Sequence, residues 1–233
     1  MPVLELIDGR EVEVARGELL LGAASPGAMD EVLARAGGEL GARALDRLGD
    51  GDVARVALPE GVSVEEAIAR VRAMGLGADA WPNAITRGTG HDGAPAKGAR
   101  TPWNVDAVDV PHGALPAGVT LALLDSGLAS RAWVDAGGRA HAPAPFLAGV
   151  EVALGPDLAH GDAAPDDENN HGTHLASLLV GPTGLARGAR LLVVEVLDEH
   201  LVGTEASLVQ GLDYARTHGA DVVNLSLGFS LGY

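Results

Sequence analysis

The stretch RLLVVEVLDEHLVGTEASLVQGLDYARTHGADVVNLSLG, residues 190–228, decides the fold. Arg190–Leu197 and Asp221–Leu227 read as apolar strands, the pattern required of a parallel sheet covered on both faces. Between them Thr204–His218 reads as a helix capped by Thr204, with Leu208, Val209, Leu212 and Ala215 on its apolar side. Strand, helix and strand make a βαβ unit, and Val119–Leu124 adds another apolar strand. Ligands in such sheets sit beyond the carboxyl ends of the strands. The first residues to examine are therefore Asp125 in LALLDSG and Ser226 and Gly228 in VVNLSLG.

Upstream the pattern differs. Gly17–Ala23, Glu39–Asp46, Asp52–Leu58 and Ala78–Trp81 read as strands, with helices over Pro26–Ala36 and Ser63–Met74. Ser63 and Glu66 have capping-box spacing, and Val64, Ala67, Ile68 and Val71 mark one helical face. The order βαββαβ predicts a ferredoxin-like α/β sandwich, a fold that carries no chemistry by itself. RGTGHDGAPAKGARTP then breaks all periodicity and reads as a linker. The expected organisation is α/β throughout: a ferredoxin-like α+β domain over 1–88, a linker over 89–100, and a partial parallel-sheet domain over 101–233.

Composition narrows the partners. The 233 residues carry 16 Lys plus Arg against 32 Asp plus Glu, a net charge of −16. That balance opposes phosphate backbones and anionic lipid, so no nucleic-acid partner is expected. With no cysteine, disulfide frameworks and thiol nucleophiles are excluded. No run approaches the roughly 20 apolar residues of a membrane span. Met1–Arg16 places Glu5, Asp8, Glu11 and Glu13 where a signal peptide needs a cationic start and an apolar run.

A third polar group lies between the strand ends. In NNHGTHLASLLVG, Asn169, Asn170 and His171 precede a helix with Leu175, Leu178 and Leu179 on its apolar side. His171 at that helix start and Asp125 at a strand tip can meet over one sheet edge as base and orienting carboxylate. Taken alone, Asp-Ser-Gly is also a plain turn. His171 and His174, at i and i+3 with no intervening Glu, do not match the metalloprotease helix. Asn224 reads as a buried amide paired with backbone, His174 as packing or hydrogen bonding within its helix, and the remaining histidines as loop residues without a role.

Asp125-Ser126-Gly127, His171-Gly172-Thr173-His174 and Asn224-Leu225-Ser226-Leu227-Gly228, in this order, resemble the subtilisin family of serine endopeptidases. Residues 17–88, with LPEGVSVEEAIARVRA followed by WPN, are similar to that family's inhibitory propeptide, and TPWNVDAVDVP to the start of its mature enzyme. The resemblance implies Asp125 as triad aspartate, His171 as general base, and Ser226, Leu227 and Gly228 as a strand that pairs with polypeptide substrates. It implies an extracellular location, whereas no signal segment is read in this sequence.

The family's serine turn and oxyanion asparagine have no counterpart here, and only seven residues follow Ser226. Loss of the nucleophile removes roughly six orders of magnitude of turnover, so the chain alone is expected to be inactive. Gly228-Phe229-Ser230-Leu231-Gly232 fits the G-x-S-x-G pattern, but the order Asp, His, Ser is wrong for that elbow and no helix follows. The alternatives are a propeptide-type inhibitor or folding module, or a half-enzyme completed by a second chain carrying the serine. The acidic, Pro-rich stretch between Ser130 and His171 reads as a surface excursion. Calcium is possible there on Asp162, Asp166, Asp167 and Glu168, although their spacing fits no EF-hand and also suits a solvated loop.

Overall fold

The computed structural model describes residues 2–88, 118–134, 138 and 140–229. The linker, the segment TPWNVDAVDVP and Ser230 lie outside the described residues. The chain forms two compact units, one of Met1–Arg87, Gly203–Asp213 and Gly228–Tyr233, the other of Gly88–Val202 and Tyr214–Leu227.

In the first unit, β1 (Pro2–Ile7) and β2 (Arg10–Gly22) form an antiparallel hairpin with Ile7 opposite Arg10. The turn residues Asp8 and Gly9 have φ of 51° and 79°, the doubly positive backbone whose twist suits a two-residue hairpin. This hairpin corrects the sequence reading, which began its strands at Gly17. Then follow α1 (Pro26–Leu40), β3 (Arg43–Leu48), β4 (Val53–Ala57), α2 (Val64–Ala73) and β5 (Asp79–Gly88). Helix α1 takes up Glu39 and Leu40, expected in a strand, and stops at Gly41 with φ 71°. There the N–H groups of Gly41 and Ala42 bond the carbonyls of Gly37 and Ala36, a Schellman-type stop. Helix α2 starts as expected: Ser63 Oγ accepts the Glu66 N–H at 3.1 Å, and Glu5 accepts that of Val64 at 2.8 Å.

The strand order β5-β2-β4-β3, antiparallel at every pairing, is the ferredoxin-like arrangement. Leu19, Leu21, Val56, Met29, Val32, Ile68 and Val71 fill the core between this sheet and the two helices.

The second unit is built on β6 (Thr120–Asp125). A short hairpin of β7 (Trp133–Val134) and β8 (Ala140–His141) follows, and the Trp133 and His141 rings stack at 4.2 Å. Next come β9 (Val152–Asp157), α3 (His171–Val180) and β10 (Arg190–Glu195), then β11 (Val202–Thr204), α4 (Glu205–Thr217), β12 (Val222–Leu225) and β13 (Leu227–Phe229). Strands β12, β6, β10 and β9 lie parallel in that order. The stretch before His171 is thus not only a surface excursion: VALGPD enters the sheet as β9 beside β10. Leu121, Leu123, Leu191 and Val193 pack on Ala176 and Val180 of α3. Among the described residues the sheet ends at β12, where Val222, Val223 and Leu225 are exposed.

Strands β11 and β13 belong with β5. The sheet of the first unit continues through β5 to β11, and β13 also pairs with β5. The run Leu19-Leu20-Leu21 has a physical reason here: Leu20, facing away from α1 and α2, packs with Leu48 and Ala206 and with the half-buried Trp81 and Val209. Asn83, fully buried, accepts the N–H of Ala206 at 3.0 Å and donates to Glu18 at 2.7 Å. Among the described residues no helix is long and apolar enough to cross a membrane.

Candidate active site

The parallel register brings three acids to one edge of the sheet. Asp125 pairs with Glu195 and Glu195 with Asp157, each at the end of its strand. All three are buried.

Asp125 is joined to His171: Nδ1 of the ring lies 2.6 Å from Asp125 Oδ1. The same oxygen accepts the Ser126 N–H at 2.8 Å, while Asp125 Oδ2 is buried without a hydrogen-bond partner. The His171 ring is held above the ordinary histidine pKa of 6.5, first by the bond to Asp125, and by the charges of Asp125 and Asp167, against the opposing effect of burial.

The helix that carries His171 is anchored from outside its own sequence. Its N-cap, Asn170, is left-handed at φ 78° and makes no side-chain cap. Asp167 does that work instead. Its Oδ1 accepts the N–H groups of Asn169 and Asn170 at 3.2 and 2.7 Å, and Oδ2 accepts that of Thr173 at 2.7 Å. A carboxylate is well placed at a helix N-terminus, where free N–H groups converge. Ser126 completes the cap, donating to Asp167 at 2.9 Å and accepting the Gly172 N–H at 3.0 Å. The motif residues are thus linked: Ser126 ties the strand tip to the His171 helix. Gly127, at φ 96° and with Pro165 O 2.7 Å from where a Cβ would stand, admits no side chain.

Ser226, Leu227 and Gly228 follow Leu225, which pairs with Leu124, the residue before Asp125. They carry the backbone out of β12 into β13, which pairs with β5. Asn224 is half-buried and donates to Ser226 Oγ at 3.1 Å. His174 is exposed and not packed.

The acidic stretch corrects another expectation. Asp167 is fully buried, not solvated, and is committed to the helix cap. Asp166 pairs with Arg131 at 2.5 Å, and Asp162 accepts the Ala164 N–H at 3.0 Å. The titratable cluster forms elsewhere, around His160, to which the sequence assigned nothing. Its Nδ1 lies 3.2 Å from Glu195 and 3.5 Å from Asp157, and its Nε2 lies 3.0 Å from Glu199. Burial, then the charge of Asp157, pushes Glu195 up to about 10. His160 is raised despite burial by Glu199 and Asp157. Asp157, His160 and Glu195 are close enough to share an ion, as are His160, Glu168 and Glu199. An imidazole beside a carboxyl that holds its proton is a poor donor set for calcium, which prefers charged and carbonyl oxygens. The signal for Glu195 was a lone acid inside LLVVEVL, a strand otherwise apolar on both faces.

Fold and site together define an α/β protein with a carboxylate–imidazole pair at the carboxyl edge of a parallel sheet. The model of the subtilase family matches residues 117–231, about half of the chain. Subtilisin Savinase from Lederbergia lenta is 31% identical over 137 residues, covering 54% of this chain and 45% of its own length. Thermitase from Thermoactinomyces vulgaris is 35% identical over 122 residues, 49% of this chain and 39% of its own. The chain thus spans less than half the length of these relatives. Fervidolysin from Fervidobacterium pennivorans, described as a keratinolytic enzyme related to subtilisin, aligns with a TM-score of 0.68 at 19% identity. That alignment covers 97% of this chain and 37% of fervidolysin, a likeness of fold.

Proposed function

We propose that the chain is the inhibitory pro-region and the Asp–His part of a subtilisin-like serine endopeptidase, its nucleophilic serine supplied by residues other than these 233. The observation that carries this reading is the 2.6 Å contact between His171 Nδ1 and Asp125 Oδ1. With Nδ1–H committed to the carboxylate, Nε2 is the nitrogen left to take a proton from a serine hydroxyl. Nε2 then returns that proton to the leaving amine, and Asp125 stabilises the imidazolium in between. This is the known scheme of Ser–His–Asp catalysis, subtilisins included. Asp167 and Ser126 are positioning residues that hold the helix on which the ring stands.

Residues 1–88 act in this reading as the propeptide. The pairing of β5 with both β11 and β13 supports it, because Ser226–Gly228 lead into β13 and a strand laid there occupies the place of an extended substrate. The same observation favours a second reading, inhibition of a subtilisin in trans.

Fluorophosphonate labelling with mass mapping tests the first reading, using the chain alone and the chain together with a segment bearing a serine turn. Labelling only in the second sample, and lost in His171→Ala, is expected. A label within these 233 residues, or one that survives His171→Ala, overturns it. Failure of the chain to inhibit a subtilisin at micromolar concentration sinks the second reading.

A further inference from the structure

Gly88, the last residue of β5, donates its N–H to the carbonyl of Leu201 at 2.9 Å. A side chain at that position meets a wall. A Cβ on Gly88 would stand 3.0 Å from Leu201 Cβ, 3.2 Å from Leu201 Cδ1 and 3.3 Å from Leu197 Cδ1. Carbon atoms at rest keep about 3.5–4.0 Å.

The wall has little room to retreat. Leu197 is fully buried, and its N–H and that of Val196 bond the carbonyl of Asp125 at 3.2 and 2.8 Å. Leu201 sits at φ 58°, a left-handed conformation that a bulky side chain adopts only when its surroundings hold it there. Asp198 does the holding. Its carbonyl accepts the Leu201 N–H at 2.9 Å, its N–H bonds Val202 O at 2.9 Å, and its carboxylate accepts the N–H groups of His200 and Val202 at 2.8 Å. A turn that would suit glycine carries leucine, and that leucine closes on the strand beside it.

We propose that Leu201, backed by Leu197, makes the position filled by Gly88 selective for glycine, so that polypeptides bound along this strand carry glycine there. The proposal rests on the reading that the end of β5 lies where a substrate strand would lie. It assigns Leu201 as a specificity-determining residue: Ala at the paired position is squeezed, and larger side chains are refused. Leu201→Gly opens the wall and suits the left-handed backbone, so it leaves the turn intact.

The test uses the full chain in four forms: unchanged, Gly88→Leu, Leu201→Gly and the double variant. Hydrogen exchange of residues 84–88 reads the strand pairing. Gly88→Leu should speed it by about tenfold or more, the size of discrimination that a closed apolar pocket supplies. The double variant should return it to within about threefold of the unchanged chain, a tolerance within the context scatter of such terms. Labelled peptides Ala-Ile-Thr-Arg-Gly and Ala-Ile-Thr-Arg-Leu are then titrated onto the Gly88→Leu chain, whose own strand is displaced. Preference for the glycine peptide that shrinks in the double variant supports the proposal. Equal binding of both peptides overturns the selectivity and leaves the strand reading standing. Binding of neither overturns the strand reading, and the selectivity with it.

Discussion

Gly172 and Gly127 meet backbone to backbone: a Cβ on Gly172 would lie 2.2 Å from the carbonyl oxygen of Gly127. The first turn of α3 and the loop after β6 therefore approach as closely as two main chains allow, with His171 one residue from Gly172 and Asp125 two residues from Gly127. Gly172→Ala forces them apart. We expect a loss of about 1–3 kcal/mol, the usual cost of overpacking, together with loss of the raised His171 pKa. Urea unfolding and imidazole NMR measure the two effects in one variant.

Asp125→Asn isolates the electrostatics. The hydrogen bond to Asp125 is the largest cause of the raised His171 pKa. Its stabilisation is complete below the unfolded histidine pKa and fades as pH rises through the higher folded value. The variant should bring the ring's titration down and flatten stability across that window. An unchanged titration curve would show that another group holds the ring's proton.

Glu195→Gln should act in the opposite sense. Glu195 keeps its proton to about pH 10 in the fold, while the unfolded chain loses it near the ordinary glutamate value. The folded state thus binds the extra proton between those limits, and stability falls as pH rises through them. Glutamine removes that slope. A gain of about 2 kcal/mol at pH 8, with little change at pH 4, follows from relieving a buried carboxyl of ionisation. Chemical denaturation at the two pH values checks it.

Asp167→Ala removes the external cap of α3. Three backbone N–H groups and the Ser126 hydroxyl lose their acceptor at once in a buried site. The cost should reach about 2–4 kcal/mol, more than an exposed cap is worth. Asp167→Asn, which keeps one acceptor oxygen, should cost less. Thermal melts of the pair, with hydrogen exchange in residues 169–175, test the ordering.

The parts of this protein legible in the sequence are those set by local signals. Ser63 and Glu66 start α2 where the capping spacing puts it, and the apolar runs of β6 and β10 pair in parallel. Asp125 and His171, read as able to meet, lie in hydrogen-bond contact. What was missed depended on short signals or on packing. Asp8-Gly9 marks a hairpin in two residues, and β9 hides in a stretch dominated by Pro and acid. Asp167 looked like one more solvated carboxylate because nothing local announces that a helix four residues on has no side-chain cap of its own. His160 and Glu195 are 35 residues apart, and only the register of β9 on β10 makes them neighbours.

In the proposed propeptide reading, the pairing of β5 with both β11 and β13 has a kinetic side. A strand tethered to the chain that binds it does not dilute: its effective concentration is set by tether geometry, about millimolar for a short flexible link. Any free polypeptide competing for that place must overcome a local rival present at the same level in every molecule, however dilute the solution. Cutting the tether would turn that constant into an ordinary concentration that falls as the protein is diluted. In that reading, release would be governed by how quickly the severed piece diffuses away.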